Sequence, residues 1–488
     1  MSARDATFDL TPDVAHDRRR IATNFLAMAG TSGLGFIVTL LTTIYVRRVL
    51  GPEAIGQVSW SLALVGYLAV LVNPGLTTVG QRDLAKVPGR ASELMSVIMT
   101  LQTLLAVAVY ALVVAVAALG LRGKAVSILL LIQSLSFVLS AVNVGWVLQA
   151  NERMAAPSIA TLVLNVLQLP VLVWLVHGPQ DVYLYAILTL PFMLAAAVHN
   201  LWYVRRHRLA NIAALRPTLA GARNLLREAW PLALSQGAIL IYFNSDTIIL
   251  GFTDGDATVG QYATAYRLML VATVVTAALW NAYFPALARA GGSDRAPALS
   301  REYMTLLAWM GIPIAALGWA CGRHVVELMY GTAYAPSGPY FEWLCLNIAV
   351  MFVNYGVVSV LVPWGHSRLQ FKISAAAALA NLLLNAIAIP LYGPWGAVAT
   401  TIAAEVVVLC LGLAYRHRLG IHWHPVLPVV TPPLLCSVAV ALAIAALPRA
   451  LDHWWWIELA VGIVVLVGCM FAFESRFRHA FRAAIRRW

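Results

Sequence analysis

Charge is what this chain has least of. Only 11% of its 488 residues are Asp, Glu, Lys or Arg, against about 25% in a soluble domain. That shortage excludes an ordinary water-soluble globule. Lysine is nearly absent: 3 of the 33 basic residues, the other 30 being arginine. Five cysteines occur, Cys321, Cys345, Cys410, Cys436 and Cys469, all in apolar runs and none in a CxxC pair. They read as small buried hydrophobes rather than disulfides or metal ligands. No metal-ligand cluster, nucleophile–base pair or phosphate-cradling glycine loop stands out, so the sequence offers no catalytic residue, metal site or cofactor. "GTSGLG" at 30–35 has the glycines of a nucleotide loop but lies inside an apolar run, where it predicts close helix packing. A cleavable signal pattern is also missing. The first 17 residues are polar and acidic, Arg18-Arg19-Arg20 follow, and the next apolar run is too long for a signal core.

What the chain does have is hydrophobicity, at 61% of residues and a mean hydropathy of +0.79. Crossing a bilayer takes about 20 apolar residues in a helix. Fourteen such runs can be read, at 22–46, 55–79, 93–119, 125–149, 156–177, 182–204, 229–251, 258–288, 302–322, 339–363, 370–391, 395–415, 426–447 and 454–473. Lipid cannot satisfy free backbone groups, so runs of this length are helices. The predicted class is an all-α polytopic membrane protein.

Fourteen spans put both termini on one side. The N-terminal tail, the even-numbered loops and the C-terminal tail hold 26 of the 33 basic residues, and the odd loops hold six. The positive-inside rule therefore predicts cytoplasmic termini. The tail "ESRFRHAFRAAIRRW" reads as a basic amphipathic segment on the anionic inner leaflet, with membrane lipids as its partner. The net charge of +12 is thus mostly topology and not a nucleic-acid footprint.

The chain also repeats itself. "VLGPEAIGQVSWSLALV" at 49–65 resembles "ILGFTDGDATVGQYATAYRLMLV" at 249–271, with Gly56-Gln57 matching Gly260-Gln261 at an offset of 204. Arg153 matches Arg368, and Gly178-Pro179 matches Gly393-Pro394, at an offset of 215. Six spans starting inside are followed by six more starting inside, which makes a parallel repeat about an axis normal to the membrane. The expected organisation is a cytoplasmic tail (1–20), a six-helix bundle (21–204) and a basic linker (205–228). A second bundle (229–415), two further spans (416–473) and a basic tail (474–488) complete it.

Four stretches carry a family resemblance: "NFLAMAGTSGLGFIVTLLTTIYVRRVLGPEAIGQVSW" at 24–60, "NPGLTTVGQRDLAK" at 73–86, "DTIILG…VGQYATAYRL" at 246–268 and "GPWGAVATTIAAE" at 393–405. Together the chain resembles the polysaccharide-transport branch of the multidrug/oligosaccharidyl-lipid/polysaccharide exporter superfamily. The resemblance implies two six-helix bundles forming a V around a central cavity. It also implies a bacterial cytoplasmic (inner) membrane location and flipping of undecaprenyl-diphosphate-linked oligosaccharides to the outer leaflet. Polysaccharide polymerase and export machinery are the partners such a role would bring.

Polar residues inside the spans are the candidate functional groups. Asp246 and Arg267 sit in adjacent apolar runs. They read either as a structural ion pair or as cavity charges, with Arg267 on the diphosphate and Asp246 on a coupling ion, proton or sodium. Arginine suits phosphate through its forked pair of donors. Arg48, at the outer end of the first span, reads as a snorkelling interfacial residue or a release site. Arg82, in "VGQRDLAK", reads as a cytoplasmic anchor or an entry site for diphosphate. Trp60 and Trp280 are the deeper tryptophans and the candidates for stacking on sugar, while Asn281 joins other in-span amides able to meet hydroxyls. Glu342 and Glu405 are further ion-coupling candidates, Glu342 near the outer end.

A lipid-linked cargo with a diphosphate asks for cavity arginines; a cation-coupled drug exporter would ask for carboxylates and aromatics. A membrane polymerase or ligase would need catalytic groups in a sizeable outer loop, and the outer loops here are short.

Overall fold

A computed structural model describes residues 12–120, 122–211, 219–418, 426–446 and 455–473. The basic tail 474–488, most of the first 20 residues and the middle of the 205–228 linker lie outside the described residues. The helices run in order as α1 (Pro12–Val72), α2 (Leu76–Lys86), α3 (Ala91–Ala118), α4 (Gly123–Ser134), α5 (Ser136–Ala141) and α6 (Gly145–Ala150). There follow α7 (Ala155–Leu175), α8 (Val182–Arg206), α9 (Leu219–Thr253), α10 (Asp256–Leu270), α11 (Thr273–Ala290) and α12 (Ala296–Tyr330). The chain continues with α13 (Ser337–Val358), α14 (Ser367–Tyr392), α15 (Pro394–Arg418), α16 (Val426–Ala445) and α17 (Trp455–Phe473). Among the described residues there is no strand, as the backbone argument requires.

Eleven helical segments among the described residues are long and apolar enough to cross a membrane. One of them, Gly33–Val72, overlaps both of the first two sequence runs, and Trp456–Cys469 is a shorter apolar helix on the fourteenth. The seventh run lies in α9. The break between the first two spans falls at Gly51, where φ is 75° and ψ is 172°. This region of backbone space is open essentially to glycine alone. Pro52 then starts the second rod, a position that needs no amide donor. Gly255, at the repeat offset of 204, caps α10 with φ 87° and ψ 171°. The repeat is therefore conserved in backbone torsion as well as in letters. A Cβ added at Gly51 or Gly255 would meet nothing within 4 Å, so only strain opposes a side chain there. Gly255→Ala is expected to cost about 1–3 kcal/mol, read as a lowered melting temperature of the purified protein, with Gly51→Ala costing the same.

Contacts divide the chain into two compact units. The first comprises Met1–Leu50 and Ser61–Gly237; the second comprises Gly51–Trp60 and Ala238–Trp488. In the first unit, Leu76, Val79 and Leu84 of α2 share a buried cluster with Met95 and Ile98 of α3, Trp146 of α6, and Leu225 and Ala229 of α9. Gly75, with φ 95°, packs against this start of α9, where its Cβ would lie 2.7 Å from the Cβ of Leu232. In the second unit, α12 and α13 are the tightest pair. A Cβ at Gly311 would fall 2.2 Å from Phe352, at Gly318 2.5 Å from Cys345, and at Gly356 2.8 Å from Met304. Small residues let membrane helices approach closely where lipid gives no hydrophobic push.

Two expectations need correction. Gly33 has nothing within 4 Å of its would-be Cβ, and Gly35 meets only Leu162 at 3.9 Å. The "GTSGLG" segment therefore does not create a close helix contact at those positions; glycines elsewhere do. The cysteines are all free, but Cys410 is exposed rather than buried and Cys469 is intermediate, because a helix facing lipid exposes apolar side chains as readily as it buries them.

Candidate functional site

The second unit contains a layer of buried and half-buried polar side chains, most arriving in pairs at helical spacing. On α9 the pair is Tyr242 and Asp246, on α10 Tyr262 and Tyr266, on α14 Asn381 and Asn385, and on α15 Thr401 and Glu405. Residues four apart share one face of a helix, so each helix turns one polar edge into the unit. Asn354 of α13 completes the set.

The layer has two connected parts. Asp246 is 3% exposed. One carboxylate oxygen accepts a hydrogen bond from the Tyr262 hydroxyl, and the other accepts from the Thr247 backbone N–H at 2.7 Å. The Tyr262 hydroxyl also lies 3.4 Å from the Thr401 hydroxyl. Beside Asp246, the Asn385 amide donates to the Ser245 hydroxyl and to the Asn381 carbonyl, both at 3.0 Å, and the Thr400 hydroxyl donates to the Asn385 carbonyl. In the second part, Glu405 accepts from the Tyr242 hydroxyl at 2.9 Å and from the Asn354 amide. The same amide donates to the Glu405 backbone carbonyl at 2.8 Å. Tyr262 and Tyr266 stack with ring centroids 5.8 Å apart.

These partners are hydroxyls, amides and one backbone N–H. Burying a carboxylate without a cation is costly unless it is neutralised or densely hydrogen-bonded. The two groups are thus held by neutral donors that would serve either a proton or a bound cation on the carboxyl.

The ion pair between Asp246 and Arg267 is not formed. Tyr262 takes the place expected for Arg267. Five residues on, Arg267 is rotated about 140° around α10, and it is exposed. Sequence reasoning overlooked Tyr242, Tyr262 and Tyr266 because tyrosine counts as apolar when spans are scored. The four-residue spacing of the polar pairs was the signal available.

The other candidates are dispersed. Glu342 pairs with Arg323 at 3.0 Å and is separate from the polar layer. Trp60 is 3% exposed; its indole N–H donates to the Ile248 carbonyl at 3.1 Å, and its ring meets the edge of Phe252 at 5.4 Å. Its faces are committed to packing in this structure. Trp280 is half-buried against Phe284, with centroids 5.0 Å apart, and Asn281 is exposed. Arg48 is exposed at the end of the first rod of α1.

Arg82 is half-exposed and bonded to Asp83 at 2.8 Å and to Glu228 of α9. Hydrogen bonding to Glu228, then to Asp83, raises its hold on its proton, so the group stays cationic. Exposed ion pairs contribute little to stability. Arg82→Ala is expected to shift the melting temperature by only about a degree or two. If Arg82 holds diphosphate, cargo transport falls in that variant and is not restored by adding Glu228→Arg to Arg82→Glu; if it is an anchor, transport is unchanged.

Apolar helices in these numbers and a buried polar layer define a multi-pass, all-helical membrane protein. The chain belongs to the polysaccharide biosynthesis protein family, which matches residues 21–290. It is 25% identical over 389 residues to a "Putative O-antigen transporter" of Shigella dysenteriae, covering 79% of this chain and 97% of the relative. A protein of the same description from Escherichia coli K12 is 21% identical over 407 residues, covering 80% and 95%. Among solved structures, the lipid II flippase MurJ in an inward closed conformation superposes with a TM-score of 0.73 at 13% identity, covering 93% of this chain and 99% of that one. An inward-facing multidrug resistance MATE family transporter of the MOP superfamily gives 0.61 at 15% identity, covering 79% and 95%. At such identities the structures establish the fold. The resemblance read from the sequence to a polysaccharide family of this fold is borne out by the family match.

Proposed function

We propose that this chain is a flippase that moves a lipid-linked oligosaccharide from the cytoplasmic to the outer leaflet for surface polysaccharide synthesis. Its carrier lipid in this reading is undecaprenyl diphosphate, and it works by alternating access in the bacterial inner membrane with both termini cytoplasmic. The observation that carries the reading is the match, over nearly the full length of two O-antigen transporter relatives, of a chain in the polysaccharide biosynthesis family. The charge asymmetry of the loops supports the orientation.

The polar layer supports ion coupling. Asp246 is buried and Glu405 half-buried among neutral hydrogen-bond donors, and intramembrane carboxylates of this kind commonly serve ion pathways. In this reading a proton or sodium ion is taken up at Asp246, with Glu405 as a second group in the same unit. Arg267, exposed and not bound to Asp246, remains available for the cargo's diphosphate. The protein performs no bond chemistry in this account; it shelters a polar headgroup while the lipid tail stays in the bilayer.

Deleting the gene in its own host tests the reading. Lipid-linked oligosaccharide should accumulate on the cytoplasmic face while surface polysaccharide disappears. Normal surface polysaccharide with loss of resistance to organic cations would favour a drug exporter instead.

A further inference from the structure

Within the second unit, the start of the second span meets α10 with almost no space between backbones. A Cβ added at Gly56 would lie 1.7 Å from the Asp256 carbonyl oxygen and 2.9 Å from the Gly260 nitrogen. One added at Gly260 would lie 1.8 Å from the Pro52 carbonyl oxygen and 3.0 Å from the Gly56 nitrogen. Pro52 and Asp256, like Gly56 and Gly260, are separated by the repeat offset of 204. The contact is therefore reciprocal: each glycine faces the carbonyl four residues before the other. Such a contact is self-complementary about a two-fold axis, and the carbonyls sit where glycine Cα–H groups can donate weakly to them.

We propose that Gly56 and Gly260 form an outer-side clasp that holds residues 51–60 against α9 and α10 and must part before cargo can leave outward. The inference rests on the transport reading and on the orientation given with it. Three observations make the contact a releasable one. At the two glycines it is backbone against backbone, while Ala54, Ile55, Val58 and Trp60 of the held segment are buried as well. The segment it holds is bounded by Gly51, whose torsions only glycine adopts readily. At its other end, from Ser61 onward, the chain's contacts pass to the first unit. The Trp60 indole also ties the segment to the Ile248 carbonyl. Ile248 lies two residues from Asp246, and Gly260 two residues from Tyr262, so the clasp sits on the two helices that the Asp246–Tyr262 hydrogen bond joins.

The test is thiol accessibility. Thr264 is fully buried one helical turn beyond Gly260. In full-length Thr264→Cys protein in spheroplasts, a membrane-impermeant maleimide is applied outside and the adduct at 264 is quantified by mass spectrometry. With both glycines present, labelling is slow. Gly56→Ala and Gly260→Ala should each speed it by roughly tenfold, and the double variant should add little, because both break one contact. Gly66→Ala, whose added Cβ meets nothing within 4 Å, should leave the rate unchanged. Trp60→Phe keeps an aromatic ring but loses the indole bond, and should give an intermediate rate even if the alanine variants do not fold. Unchanged labelling in folded Gly56→Ala, or in Trp60→Phe, would overturn the clasp. Labelling needs no cargo, so this result stands apart from any failure of the flippase reading, which only the transport assay decides.

Discussion

Asp246→Asn is expected to fold normally and lose transport. The amide keeps the shape of the carboxyl; its single oxygen can still accept from the Thr247 N–H, and its NH2 can donate to the Tyr262 hydroxyl in place of the bond that hydroxyl gives the carboxylate. Interhelical hydrogen bonds in membranes average about 0.6 kcal/mol, so the melting temperature should fall by only a few degrees. The amide cannot exchange a proton and is a weaker cation ligand. If Asp246 couples transport, the flipping rate falls by roughly tenfold or more, equivalent to about 1.4 kcal/mol on the barrier, whatever ion gradient is imposed. A normal rate in the folded variant would remove Asp246 from the coupling pathway. Arg267→Ala in the same assay separates the cargo role from the ion role. It should weaken transport while leaving stability unchanged, because Arg267 is exposed and is not the partner of Asp246.

Glu405 should show the larger effect on stability. Glu405→Ala leaves the Tyr242 hydroxyl and the Asn354 amide without their carboxylate partner. The Asn354 amide keeps its bond to the backbone carbonyl at 405, so the Tyr242 hydroxyl is the orphaned group, and a loss of about 1–3 kcal/mol is expected, with a lowered melting temperature as the readout. Glu405→Gln retains an acceptor and should recover most of that loss. If it recovers stability but not transport, Glu405 acts in coupling as well as in packing. If it recovers both, the residue is a structural knot between α9, α13 and α15. Tyr242→Phe removes one donor only and should fall between wild type and Glu405→Ala.

The fold was legible because bilayer crossing imposes a rule that composition alone can report. Every apolar run of sufficient length had to be helical, and the described parts of the runs are mainly helical, although 125–149 is broken into α4, α5 and α6 and 258–288 into α10 and α11. The repeat was legible for a different reason. Gly51 and Gly255 occupy backbone torsions that other residues avoid, so the chain keeps glycine at both. The consequence of Gly56 matching Gly260 was not legible, since an offset between two letters does not say that the two residues touch.

The site was legible in part. Asp246 and Glu405 stood out as carboxylates in apolar runs. Their partners did not, because proximity along the chain suggested Arg267 for Asp246. Helical phase decides that question: Tyr262 lies on the inward edge of α10 and Arg267 does not. Glu342, which the sequence placed near the outer end of its span, pairs with Arg323 of α12 and not with the layer. The in-span amides, Asn354, Asn381 and Asn385 among them, were legible as polar groups, but the tyrosines were not, and Tyr242 and Tyr262 bond the two carboxylates.

The most direct measurement reconstitutes the full-length protein in proteoliposomes with a fluorescent undecaprenyl-diphosphate oligosaccharide. Quenching of the outward-facing label by an impermeant reductant counts the molecules that cross. A flippase predicts that nearly all of the label becomes accessible with this protein, and only the outer-leaflet share becomes accessible in empty vesicles. Equal protection in the two preparations, with the protein folded and an ion gradient present, would contradict the account.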